Sequence, residues 1–207
     1  MLNNSNVSSC TAFNYKTRIA SGDLRHVALK SKEVLDNDQN ARVLIFDDIT
    51  SEVIEIDFRG TPEQLAKRME AAAGATDNSE PASIDSVARR PGRPKLGVVA
   101  REITLLPRHW EWLARQPSGA SVALRKLVEQ AIKANRDKDS VRRAQNAAYR
   151  FMSTMAGNEP AFEEAIRALF SQQSERFLSL IEVWPADVRE HAKRLAVPAF
   201  PTPGSLA

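Results

Sequence analysis

The stretch Arg42-Val43-Leu44-Ile45-Phe46-Asp47-Asp48-Ile49-Thr50-Ser51-Glu52-Val53-Ile54-Glu55-Ile56-Asp57-Phe58 decides the fold class. Its two ends are apolar and β-branched, and its polar middle, with Asp47, Asp48 and Thr50, reads as the turn of a β-hairpin. The second run alternates, which puts Ile54, Ile56 and Phe58 on a core face and Glu55 and Asp57 on the other. Working backwards, Asp23 can cap a helix that carries Leu24, Val27, Ala28, Val34 and Leu35 on one face. Phe13 to Ile19 then reads as a short strand. Working forwards, Gly60 ends the hairpin, and Thr61, Pro62 and Gln64 supply an N-cap, a first-turn proline and a capping-box partner. The helix they start carries Leu65 and Met69. The expectation is a small α+β module, β-α-β-β-α, over residues 11–73, after a disordered tail at 1–10.

Residues 74–97 change character. Gly, Asn, Ser, Pro and Asp dominate and apolar periodicity stops, as in a linker. A strand over Val98 to Leu105 follows, then Leu106-Pro107 and a helix with Trp110, Leu113 and Ala114. Pro117-Ser118-Gly119 breaks that helix, and Ser121 can cap the next. In it Leu124, Leu127, Val128, Ala131 and Ile132 follow the i, i+3, i+4, i+7, i+8 template. These elements make a unit over 98–135. Of Trp110 and Trp112, two apart and unable to share a helix face, one is expected in the core and the other at an interface. From Asp139 the chain reads as an all-helical domain over 139–197. Breaks are expected at Gly157 to Pro160, Gln172-Gln173 and Trp184-Pro185, with a loose tail at 198–207.

Composition narrows the function classes. The one cysteine, Cys10, excludes an intramolecular disulfide, and with three scattered histidines it gives no zinc-ligand spacing. No apolar run approaches the roughly 20 residues a membrane helix needs. A cytoplasmic protein without metal or cofactor is the expectation. The net charge of +3 is unevenly spread. Residues 89–150 carry fifteen Lys/Arg against five Asp/Glu, a balance of +10, and the remainder carries fourteen against twenty-one, a balance of −7. A basic block between acidic flanks suits a polyanion partner.

That block opens with Arg89-Arg90-Pro91-Gly92-Arg93-Pro94-Lys95. The Gly-Arg-Pro core with basic neighbours resembles an AT-hook. Proline on each side of Gly-Arg favours extended backbone, and Gly92 removes the side chain where the chain must approach the groove floor. Arg93 can then enter a narrow A·T minor groove, drawn by its negative potential. Arg90, Pro94 and Lys95 complete the hook, with Arg90 and Lys95 near phosphates; Arg89 and Arg101 add phosphate attraction. Residues 98–134 resemble the ribbon-helix-helix repressors in the order strand, Leu-Pro, helix, glycine turn, helix. That resemblance implies a homodimer whose paired strands read the major groove. Here the groove-facing set would be Glu102, Thr104 and Ala100, or Arg101 with Ile103 and Leu105, and neither is a good reading surface.

The whole chain also resembles the bacterial domain of unknown function 2239 family. The likeness lies in Thr11-Ala12-Phe13, Ile19-Ala20-Ser21-Gly22, Phe46-Asp47-Asp48, Asp57-Phe58-Arg59-Gly60, Arg90 through Lys95, and Thr104 through Leu113. It continues in Gly119-Ala120-Ser121, Phe162-Glu163-Glu164-Ala165 and Trp184-Pro185-Ala186-Asp187-Val188-Arg189. The resemblance implies that these segments belong together and carries no activity with it.

No nucleophile elbow, phosphate-binding glycine loop or His-Glu-x-x-His is present, so an enzyme is not expected. Asp47, Asp48, Glu55 and Asp57 fit turn formers better than metal ligands. The leading expectation is a DNA-binding regulator or nucleoid-associated protein. One rival is an adaptor whose basic linker is not DNA-specific. Another is a small-ligand sensor using Phe151, Phe170, Phe177 and Trp184.

Overall fold

A computed structural model describes residues 9–74, 99 and 101–200. Its elements are β1 (Cys10–Asn14), β2 (Thr17–Gly22), α1 (Leu24–Asn37), β3 (Val43–Asp47) and α2 (Pro62–Gly74), followed by α3 (Pro107–Ala114) and α4 (Ala120–Met155). The helices α5 (Phe162–Phe170), α6 (Ser174–Leu180) and α7 (Ala186–Ala196) and a 3-10 turn at Val197–Ala199 complete the chain. The fold is α+β, as expected, but its order begins β-β-α-β-α.

The reversal comes from one turn. The expected strand Phe13 to Ile19 straddles the corner of a hairpin at Tyr15 and Lys16, with β1 and β2 on either side. Tyr15 sits at φ 52°, a conformation that costs a bulky side chain energy. Its N–H donates to the Arg42 carbonyl at 3.2 Å, which ties the corner to the start of β3. The sheet has the order β2-β1-β3 with both pairings antiparallel. Phe13 stands opposite Leu44, and Thr11 opposite Phe46.

The expected hairpin partner of β3 does not form a strand. Only Val53 bridges to Phe46, and the Ile54 N–H donates to Ile45. Beyond that point the carbonyls of Asp57 and Arg59 are taken by the Arg68 guanidinium, each at 2.7 Å, in place of a neighbouring strand. The alternation nevertheless reports which way the side chains face: Ile54 is buried, and Ile56 and Phe58 pack beside it.

Because β1 is central, both its faces are covered and all of Cys10 to Phe13 is buried. On one face Cys10, Ala12 and Ile45 meet Val27 of α1. On the other, Phe13 and Phe46 enter a larger core with Phe151, Met152, Phe177 and Val188. Phe151 lies 5.5 Å from Phe13 and 5.2 Å from Phe46, centroid to centroid. Residues on both sides of the 75–98 stretch therefore share one interior, and Met1–Ser79 with Asp137–Ala207 forms a single compact unit. Ser9 and Cys10 belong to this fold, not to a tail, and so do Ala199 and Phe200, the latter against Phe177 at 5.5 Å.

Local start and stop signals hold. Asp23 caps α1 by accepting from the His26 N–H at 2.9 Å. Thr61 and Gln64 form the reciprocal capping box, Gln64 Oε1 accepting from Thr61 N and Thr61 Oγ1 from Gln64 N. The expected breaks near Gly157, Gln172 and Pro185 are present, with Gln172 at φ 56°.

Glu80–Arg136 forms the second unit. Its described residues hold no strand, and of the strand expected at 98–105, residues 98 and 100 lie outside the described residues. The units divide between Arg136 and Asp137, within the boundary expected at 135–139, but without a break in secondary structure. No glycine or proline lies between Ala120 and Met155, and α4 runs through as one helix of 36 residues. Its N-terminus is set one step before the expected Ser121, with Ala123 N–H donating to Gly119 O at 3.1 Å.

Candidate nucleic-acid interface and polar lock

Of the residues assigned to DNA from the sequence, Arg89, Arg90, Gly92, Arg93, Pro94 and Lys95 lie outside the described residues. Arg101 is described and exposed. Downstream, Leu106 precedes Pro107 in extended backbone and α3 follows. The turn after α3 is closed by Gly119 N–H donating to Gln116 O at 3.0 Å, with Gly119 at φ 74°, where a side chain would be strained. Leu113 occupies the inward position of α3. Trp110 and Trp112 both stay about half exposed, so neither is the core tryptophan expected. An eight-residue helix has one inward stripe to offer, and the leucine fills it.

Arg108, Arg115, Arg125, Lys126, Lys133 and Arg136 are exposed alongside Arg101. Among the described residues none of the seven pairs with a carboxylate, whereas Arg142 further along α4 pairs with Asp139 at 3.0 Å. Unpaired, hydrated cations of this kind cost little to bring to a phosphate.

A second constellation was not legible in the sequence. Asp47 behaves as the expected turn former, its Oδ1 accepting from the N–H groups of Ile49 and Thr50 at 2.9 and 2.7 Å. Asp48 turns the other way. Its carboxylate accepts from Ser9 Oγ at 2.6 Å, Thr11 Oγ1 at 2.7 Å and Arg194 Nη2 at 2.8 Å. Arg194 also lies 2.9 Å from His191 Nδ1. A guanidinium can only donate, so Nδ1 accepts and the imidazole proton sits on Nε2. That Nε2 is buried without a hydrogen-bond partner among the described residues. The ring is held by Phe13 at 5.3 Å and Phe151 at 4.4 Å. Burial, with the Arg194 charge second, pushes His191 down to about 4. It is therefore neutral at physiological pH.

The arrangement binds α7 to the sheet. Cys10 lies beneath it, fully buried, and burial together with the carboxylates of Asp48, Asp23 and Asp47 pushes its thiol up to about 12. A thiol in that state is not a nucleophile. Among the described residues no cluster of three His, Cys, Asp or Glu side chains is placed to hold a metal ion. Of the aromatics considered for a ligand pocket, Phe151, Phe177 and Trp184 are core and Phe170 is half exposed against Tyr149.

The family described as an uncharacterized protein conserved in bacteria, domain of unknown function 2239, matches residues 9–196. The chain belongs to this family. No curated protein and no solved structure matches it. For domain of unknown function 2239 the matched span takes in both the Asp48–Arg194 lock and the exposed basic segment. No described helix of this family member is long and apolar enough to cross a membrane.

Proposed function

We propose that this protein binds DNA, with Arg93 entering an A·T-rich minor groove and Gly92 and Pro94 holding the backbone against its floor. Arg90 and Lys95 contact the flanking phosphates, and Arg89 and Arg101 add attraction at longer range. The observation that carries the reading is the sequence Arg90-Pro91-Gly92-Arg93-Pro94-Lys95, set in a block with a balance of +10. The exposed and unpaired cations from Arg101 to Arg136 support it, because they extend the same positive field. The order Leu106-Pro107, α3, glycine turn, α4 supports a ribbon-helix-helix-like reading as topology. Base reading by Glu102 and its neighbours is not part of the proposal, since a glutamate is repelled by phosphates.

Fluorescence anisotropy of the full chain with A·T-rich and G·C-rich duplexes, across a salt series, tests it. Tighter A·T binding is expected, with a log–log salt slope of roughly −2 if Arg90 and Lys95 each neutralise one phosphate. Arg93→Ala should remove the A·T preference, while Lys67→Ala, an exposed change in α2, should leave it intact. Equal affinity for the two duplexes, or equal effects of the two substitutions, would refute the hook.

A further inference from the structure

The described part of the second unit has almost no interior: among its apolar side chains only Leu113 and Ala123 are buried. One side of α4 within this unit gathers its charge. At about 100° per residue, Arg125, Lys126, Lys133 and Arg136 fall within an arc of about 100°, and all four are exposed. The row runs about 16 Å along the helix axis. Its centre lies about 140° round the helix from the stripe of Leu124, Leu127, Val128, Ala131 and Ile132.

Like charges on one helix face repel, and a nearby acid relieves them. The first unit does this repeatedly: Arg25 pairs with Glu70, Lys30 with Glu33, Arg167 with Glu164 and Lys193 with Glu190. Further along α4 itself, Arg142 pairs with Asp139 and Arg150 with Glu52. Between Ala120 and Arg136 the one acid is Glu129. It lies inside the arc, four residues from both Arg125 and Lys133, a spacing at which pairs form. Among the described residues it pairs with neither, so the face keeps four cations against one acid, a balance of +3.

We propose that this face of α4 is a second DNA contact, lying along the phosphate backbone of the duplex that the hook enters. It rests on the reading of the chain as DNA-binding, but not on Arg93 or on any preference for A·T. The charges select the occupant. A row of about 16 Å spans about five base-pair steps of duplex, so several phosphates come within reach of its four side chains. Each phosphate neutralised releases a counterion, and no ion pair has to be broken first. A lipid surface suits the helix less. It would take up the apolar stripe and leave these cations turned to water. The hook then supplies the choice of sequence, and the α4 face, meeting only phosphates, supplies strength on any sequence.

The test is the salt dependence of duplex binding by the full chain, with helix content followed by circular dichroism. The two phosphates of the hook account for a log–log slope of only about −2, and four more should bring it to about −5. The combined exchange Arg125→Gln, Lys126→Gln, Lys133→Gln and Arg136→Gln should return the slope to about −2. The ratio of A·T to G·C affinity should stay within about twofold, because no base contact is lost. Glutamine is a good helix former, so α4 should persist. Arg93→Ala should do the reverse, lowering the ratio and sparing most of the slope. Lys67→Gln with Arg176→Gln, exposed cations of the first unit, should leave the slope unchanged. Glu129→Gln reads the face without removing a cation, and should tighten binding to both duplexes by about threefold.

A fourfold variant that keeps the wild-type slope, or a Glu129→Gln variant that binds no tighter, overturns the α4 contact and leaves the hook standing. A wild-type chain with no A·T preference, whose slope still falls in the fourfold variant, refutes the hook and leaves the α4 contact standing. No binding of either duplex at low salt overturns both.

Discussion

Arg194 Nη2 lies 2.8 Å from Asp48 Oδ1, joining α7 to the turn after β3 across 146 residues of sequence. Asp48 is well buried and accepts three side-chain donors, whereas about half of Arg194 is exposed. The two ends of this contact should therefore respond unequally to substitution. Asp48→Asn weakens charged hydrogen bonds in a shielded site and should cost about 1–3 kcal/mol in urea unfolding. Arg194→Met removes a partly screened partner and should cost about 1 kcal/mol or less. Equal losses would mean that the carboxylate is not the hub.

His191 makes stability depend on pH with a definite sign. Its folded value, about 4, lies below its ordinary 6.5, so the unfolded chain takes up the proton first. Its contribution is complete above pH 6.5 and is lost as pH falls through that window towards 4. Between pH 7 and pH 5 the loss should be about 2 kcal/mol. In His191→Leu the drop in unfolding free energy over the same interval should shrink by about that amount. An unchanged interval would show that the imidazole is charged in the fold.

Phe46→Ala should unfold sheet and helices together. The ring touches both Phe13 and Phe151, at 6.2 and 5.2 Å, and its loss opens the core they share. A cost of about 3–5 kcal/mol is expected. Far-ultraviolet circular dichroism and tryptophan fluorescence, read with Trp110 and Trp112 replaced by Phe so that Trp184 alone reports, should still give one coincident transition. Two separated transitions would mean that the sheet and the C-terminal helices fold independently.

Gly60→Ala should cost more than a surface glycine change. Gly60 has φ 86°, and a Cβ there runs into Gln64 Oε1, the atom that accepts from Thr61 N in the capping box. Strain and loss of the cap together should cost about 1–2 kcal/mol. Gln64→Ala in the same background should add little, since the cap is already lost; additive losses would contradict the coupling.

What the sequence revealed was local. The Thr61–Gln64 box, the Asp23 cap and the breaks at Gln172 and Pro185 each depend on residues within four positions, and all are found. The alternation at 53–58 correctly gave the facing of Ile54, Ile56 and Phe58. It could not give their pairing, because the competitor for those carbonyls, Arg68, lies in the next helix. The Tyr15 corner was hidden because tyrosine seldom marks a turn. The chain from Asp139 read as the start of a separate helical domain, yet α4 passes through that position without a break. Of the candidate site, Arg101 was readable as an exposed cation. The Asp48–Arg194–His191 lock was not, since His191 falls on the same helix face as Val188, Ala192 and Leu195 and reads as one more buried position.

The near absence of an interior between Arg101 and Arg136 also bears on how this stretch can change over generations. Where a core exists, most substitutions are removed because they unfold the chain. Here only Leu113 and Ala123 impose that filter. Variation at the other positions is screened by whatever the surface touches, so drift in Leu127, Val128 or Trp110 among relatives would record a change of company and not a loss of shape.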